Sequence, residues 1–314
     1  MRNRALTLLV TIPLIVQFAG CASAPKQTSA QARQAVTQPQ KSKPTSPSAP
    51  APKGFAENVA LGDAAWQAQD LDRAIYYYVQ AVGESPHDAI TLAKMGAIED
   101  GRGNAALAET AFEMAHSADP KEPRIAERLA RLYLQRGNVD GAAQIYIQVL
   151  SLDAHRARAL DGMGEVYLAR SNYVQSIRYF DQALAAEKPD RAAVLTHRGR
   201  AKLRLNDLMG AEADLRAALT VSPREDSWRY LGDLQVLRGD TGAALDSLLN
   251  IMDAAQAFNE MGVVFMSRKN YSAAREYFGK AIKASAVWFD EAQKNLAQAD
   301  EHLKKTVPPT AGHQ

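Results

Sequence analysis

The chain has 314 residues, of which 46% are hydrophobic, 7% aromatic and 23% charged, with a formal net charge of +2. That composition suits a helical protein and excludes disorder throughout. Residues 1–54 hold Arg2, Arg4, Lys26, Arg33, Lys41, Lys43 and Lys53 and no acid, so the rest sets 30 Lys+Arg against 35 Asp+Glu, about −5, and excludes nucleic acid as an expected partner.

Residues 1–20 read as an export signal. Arg2 and Arg4 make a positive start, and Ala5 to Phe18 form an apolar stretch of 14 residues broken by Pro13. That stretch is too short to span a bilayer as a helix. Cys21, the single cysteine, follows Phe18-Ala19-Gly20. This resembles the bacterial lipobox, in which the cysteine after small residues is lipidated and becomes the new N-terminus; Phe18 stands where leucine is usual. Lipidation of Cys21 is therefore expected, with cleavage after Ala22-Ser23-Ala24 as the alternative. Ala22 after the cysteine, in place of aspartate, resembles lipoproteins sorted to the outer membrane. A lone thiol forms no internal disulfide, and an acyl anchor would give it a use.

Residues 21–54 are expected to be a disordered tether. They contain Pro25, Pro39, Pro44, Pro47, Pro50 and Pro52 among Ser, Thr, Gln, Ala and Lys, with almost no large apolar residue until Phe55. Such a segment buries too little to offset its ordering entropy. Its positive charge either favours anionic surfaces or simply solvates a spacer.

From Phe55 the sequence repeats itself on three tracks. Turn-type residues stand at Asp70, Asn104, Asn138, Asn172, Asp207, Asp240 and Asn270, at intervals of 34, 34, 34, 35, 33 and 30. Small residues at Gly62, Gly96, Ala130, Gly164, Gly199, Gly232 and Gly262 keep the same intervals, and Pro86, Pro120, Pro189 and Pro223 lie 34, 69 and 34 apart. A small residue inside a first helix, matched by Ala74, Ala108, Ala142, Ser176, Ala211, Ala244 and Ala274 in a second, lets two helices approach closely. The Asn or Asp between them is expected to take left-handed dihedrals and to cap the second helix. Large residues at Tyr78, Phe112, Tyr146, Phe180, Leu215, Leu248 and Phe278 are expected to fill the space between pairs, and proline ends the second helix. Repeat six is about four residues short.

A small–aromatic–small helix pair of this period resembles the tetratricopeptide repeat. Trp228-Arg229-Tyr230-Leu231-Gly232, Gly164-Glu165-Val166-Tyr167, and Ala108 to Phe112 with Pro120 carry its opening, middle and end. The resemblance implies an all-α, right-handed superhelical solenoid of about seven helix pairs over 55–288. Residues 289–306 read as a capping helix with Ala292, Leu296, Ala299 and Leu303 on one face, and 307–314 as a disordered tail. The N-terminal end has no comparable cap.

No motif of a catalytic centre is present. There is no G-x-x-x-x-G-K-[ST] loop and no nucleophile elbow, and Gly101-Arg102-Gly103-Asn104 falls on a repeat turn. His87, His116, His155, His197, His302 and His313 show no metal-ligand spacing. The chain is read as a non-enzyme, with no cofactor and no metal. The resemblance instead implies a concave surface of first helices suited to an extended peptide or a helix. Family positions two, five, nine and twelve place Arg124, Glu127, Arg131, Arg158, Asp161, Glu165, Thr196, Arg200, Arg229 and Asp233 there. They do not fit the family's two-carboxylate clamp. Trp66, Tyr76 and Tyr77 in the first repeat form a second candidate surface, for a partner, a second copy or the tether, with ordinary packing as the alternative.

Signal, tether and repeats together resemble lipoproteins of tight-adherence (Flp) and type IV pilus systems. That architecture implies a periplasm-facing scaffold, lipid-anchored in the outer membrane, that gathers envelope proteins for an assembling machine. The alternative is an adaptor lipoprotein recruiting peptidoglycan hydrolases or proteases.

Overall fold

The computed structural model describes residues 54–306. The expectations for the export signal, Cys21, the tether up to Lys53 and the tail from 307 lie outside the described residues. Fifteen helices fill the described residues. Fourteen form seven consecutive pairs: α1 (Phe55–Gln67) with α2 (Leu71–Glu84), α3 (Ala89–Gly101) with α4 (Ala105–Ala118), α5 (Pro123–Gln135) with α6 (Val139–Leu152), α7 (Ala157–Ala169) with α8 (Tyr173–Ala185), α9 (Arg191–Arg204) with α10 (Leu208–Val221), α11 (Glu225–Arg238) with α12 (Thr241–Leu248), and α13 (Ala254–Ser267) with α14 (Tyr271–Ala284). α15 (Asp290–Thr306) closes the C-terminal end. Each second helix packs on the next first helix, and from the third pair on the first helices also touch one another. The result is an all-α solenoid.

The small residues of the first helices explain why the pairs close so tightly. A Cβ at Gly62 would lie 2.5 Å from the Tyr78 ring, one at Gly96 2.8 Å from Phe112, one at Gly164 2.3 Å from Phe180 and one at Gly262 2.4 Å from Phe278. The large residues therefore lie over the glycine of their own pair, not between pairs as the sequence led us to expect. Burying each such side chain contributes about 1.5–3 kcal/mol, more than the roughly 1 kcal/mol that a helical glycine costs. Repeat three departs from the rule. Ala130, buried, stands in place of the glycine, and the Tyr146 ring lies against Gly162 of α7, where a Cβ would sit 2.2 Å away. That ring thus bridges two repeats.

The turn between paired helices has one recurring form. Asp70, Asn138, Asn172, Asp207, Asp240 and Asn270 each accept the backbone N–H three residues on. Asn104 makes no such cap and donates Nδ2–H to Glu99 Oε2 at 2.6 Å. The left-handed residue is not the capping one. It is the residue before it: Gln69, Gly103, Gly137, Ser171, Asn206, Gly239 and Lys269 have φ between 58 and 84°. The cap needs an extended backbone so that its side chain reaches forward, which leaves the reversal of direction to its predecessor.

Repeat six is where the array is thinnest. α12 has only eight residues, and Asp253 restarts the chain with a reciprocal capping box through Gln256. At the far end α15 buries Ala292 and Ala299 and lays Leu296 against Ala274 and Phe278.

Candidate binding face

The first helices carry the charged residues, and the superhelix joins them across repeats. Lys94 pairs with Asp63 at 2.6 Å, Arg131 with Asp100 at 2.7 Å and Arg229 with Glu260 at 2.6 Å. Each of these partners is 31 residues away, one helical turn short of the repeat. Tyr78 adds its Oη–H to Asp63 at 2.6 Å, and this bond with Lys94 holds the Asp63 carboxyl below its ordinary range although burial pushes the other way.

Several residues of the candidate groove are consumed by this lattice. Glu127 is only 2% exposed, and Arg156 clamps its carboxylate from Nε at 2.5 Å and Nη2 at 3.3 Å. Thr196 is fully buried and shares a hydroxyl hydrogen bond with Ser227 at 2.6 Å, so it joins α9 to α11 and faces no ligand. Arg229 is held by Glu260 and Glu225, and the Arg200 guanidinium lies over the Tyr230 ring at 5.7 Å. Asp233 is half-buried. Burial, and then Glu260, push its carboxyl up to about 7 against the pull of Arg229 and Arg204.

What the lattice leaves over is positive. Arg124 is exposed, and the hydrogen bond it makes is through its backbone N–H, to Glu122. Arg158 is 68% exposed in its side chain and comes no nearer than 4.0 Å to Glu127. Arg128, which sequence reasoning missed, lies on the same face of α5 as Arg124 and Arg131 and reaches Asp100 at 3.6 Å. Partial burial, with repulsion from Arg131 and Arg158, holds the Arg128 guanidinium below its usual value despite Asp100. Crowded like charges of this kind favour an arriving anion.

Asp161 and Glu165 do meet, around a histidine the sequence did not single out. His197 Nδ1 lies 2.9 Å from Asp161 Oδ1 and its Nε2 3.8 Å from Glu165 Oε1. Burial opposes the charged imidazole, but Asp161 and then Glu165 outweigh it and push its pKa up to about 9. Burial raises Glu165 in spite of His197, Arg200 and Arg131. No motif search finds this group, because its members are 32 and 36 residues apart and flank the repeat length by two on either side.

The first repeat offers a second surface. Trp66 packs edge-on to Tyr78 and, with Asp63, Gln67, Gln69 and Lys94, lines a recess of about 360 Å³. Tyr76 is partly exposed, at 37%, whereas Tyr77 is wholly buried and offers nothing to a partner. The reading of Tyr77 as a docking residue is corrected on that ground. On α2 it lies one position from Tyr76, about 100° around the helix, and so turns inward.

The fold and its face are those of a tetratricopeptide-repeat scaffold. Four tetratricopeptide-repeat families match the chain, at residues 97–166, 159–192, 196–257 and 255–287, and the chain carries tetratricopeptide repeats. No curated protein matches it in sequence. Among solved structures it is similar to a tetratricopeptide repeat protein from Parabacteroides merdae, with TM-score 0.60, 19% identity, and 78% of this chain and 98% of that one covered. It is also similar to PilW, described as a widely conserved type IV pilus biogenesis factor (0.55; 21% identity; 66% and 98% covered), and to pilF of Pseudomonas aeruginosa (0.51; 17%; 68% and 98%). At these identities the likeness is one of fold.

Proposed function

We propose that the chain is a lipid-anchored scaffold on the periplasmic face of the outer membrane, gathering envelope proteins during assembly of a machine of the pilus kind. The observation that carries the reading is the excess of arginine over carboxylate on the first-helix face: Arg128 and Arg131 share the single carboxylate of Asp100, Arg158 stands at 4.0 Å from a Glu127 already clamped by Arg156, and Arg124 has no ion pair among the described residues. A repeat array whose strip of arginines outnumbers its carboxylates is suited to hold an acidic segment of another protein. The envelope setting is supported by the signal-like N-terminus and by Cys21 behind Phe18-Ala19-Gly20. The pilus setting is supported by the architecture of signal, tether and repeats, and two of the proteins that share the fold have pilus names.

Exchanging Arg124, Arg128 and Arg158 together for Glu tests the face. Crosslinking pull-downs should lose their partners while the helical circular dichroism spectrum stays unchanged; partners retained in full would place binding elsewhere, and captured peptidoglycan hydrolases would favour the adaptor reading. Cys21→Ser tests the anchor separately. The variant should leave the washed outer-membrane fraction, and persistence there would defeat it.

A further inference from the structure

We propose that Glu165 and His197 form a binding site for a divalent first-row transition ion, zinc above all, with Asp161 orienting the imidazole. Asp161 and Glu165 are four residues apart on one face of α7, and α9, the next first helix, sets His197 between them. The three side chains are half-buried, and their candidate ligand atoms all lie within 4.8 Å of one another. Asp161 takes the Nδ1–H at 2.9 Å. That is the hydrogen bond a carboxylate makes to a metal-binding histidine from behind, fixing the ring and aiming Nε2 at Glu165, where a bound ion would take the place of the Nε2 proton. Phe180, tilted against the ring at 5.8 Å, restrains it from the side.

The gap in front of Nε2 is the second observation. Glu165 Oε1 faces it at 3.8 Å, beyond hydrogen-bond length. Neither Nε2 nor the Glu165 carboxylate makes a hydrogen bond among the described residues. Two bonds of about 2.1 Å meeting at roughly 90–110° put their donor atoms about 3.0–3.4 Å apart, so a closure of a few tenths of an ångström would bring this pair into register. An imidazole nitrogen with a carboxylate oxygen and no thiolate suits zinc, cobalt, nickel or manganese better than calcium. Two protein donors leave the remaining positions to water, and the solvent-exposed part of the site lets it in. Arg131 and Arg200 nearby weaken the attraction for a cation.

Titration of the full chain with Zn²⁺ by calorimetry, and with Co²⁺ by visible absorption, tests the site. We expect one equivalent bound, a Tm raised by the ion because α7 and α9 become linked, and about a tenfold loss of affinity in Asp161→Asn. Glu165→Gln and His197→Gln should each abolish that equivalent. Glu165→Gln is the mildest of these changes, since this carboxylate makes no hydrogen bond among the described residues and loses only its ion pair with His197, and an unchanged circular dichroism spectrum checks that the variant is folded. Absence of binding at millimolar ion, or one isotherm shared by wild type, Glu165→Gln and His197→Gln, would overturn the proposal and assign any bound ion to other histidines or to Cys21.

Discussion

Gly164 and Phe180 are 16 residues apart, and so is every small residue from the large one that covers it. Replacing Gly164 with Ala improves intrinsic helix propensity by about 1 kcal/mol but drives a methyl group to 2.3 Å from the ring, and overpacking of this kind costs about 1–3 kcal/mol. The net change in denaturant midpoint should be downward. Gly83, also helical, has open space around its missing side chain, and Gly83→Ala should move the midpoint upward. A common sign for the two variants would refute the steric account. Asp233 carries a pH signature of its own. Its carboxyl, lifted to about 7, binds a proton more tightly folded than unfolded, so its contribution to stability falls as pH rises from the ordinary carboxylate range through about 7. Asp233→Asn should therefore raise Tm by a few degrees at about pH 8 and hardly at all near pH 4. Equal shifts at both would rule out the titration.

How far these residues could be read from the sequence follows from how local their causes are. The caps were legible, because a side chain reaching three residues forward needs nothing distant. The left-handed positions were not, since Gln69, Ser171 and Lys269 are not residues that favour positive φ and the capping geometry around them imposes it. Of the groove, Arg124 and Arg158 were legible as exposed charges. The burial of Glu127 was hidden, because it depends on Arg156 arriving from the next repeat.

At the scale of the element, α12 is the exception that matters. Its eight residues bury Ala244, Ser247 and Leu248, no more than α8 or α14 and fewer than the other second helices. Helices this short draw most of their stability from packing. Most buried hydrophobic residues from Ala65 to Val166 form one continuous cluster, while those from Leu168 onward fall into separate smaller groups. In native-state hydrogen exchange, α11 to α13 should open at lower free energy than α3 to α7. Uniform protection along the array would show that cluster continuity does not set local stability. The short repeat was visible as an interval of 30, and the break in the core was not, because it falls around α7 and α8, where the repeat spacing stays at 34 and 35.

At the scale of the molecule, the ladder of pairs 31 residues apart makes the charged face in part a property of neighbouring repeats, alongside pairs such as Arg198–Asp214 that lie within one repeat. With Asp100 joined to Arg131 and Glu260 to Arg229, an excess of arginine remains around α5 and the start of α7, although the chain beyond residue 54 is about −5 as a whole. The net charge of a single repeat therefore misjudges what a partner meets, and only the stacked array reveals the strip.

Tyr146 takes this interdependence further. Its ring is 16 residues from Ala130 and also 16 from Gly162, so spacing alone left both seats open, and the ring lies against the glycine of the next repeat. Repeats three and four are thereby keyed to each other like a tenon in its mortise. Transplanting either one into another array would carry away half of a joint, leaving an empty socket at Gly162 or a tyrosine with nowhere to sit.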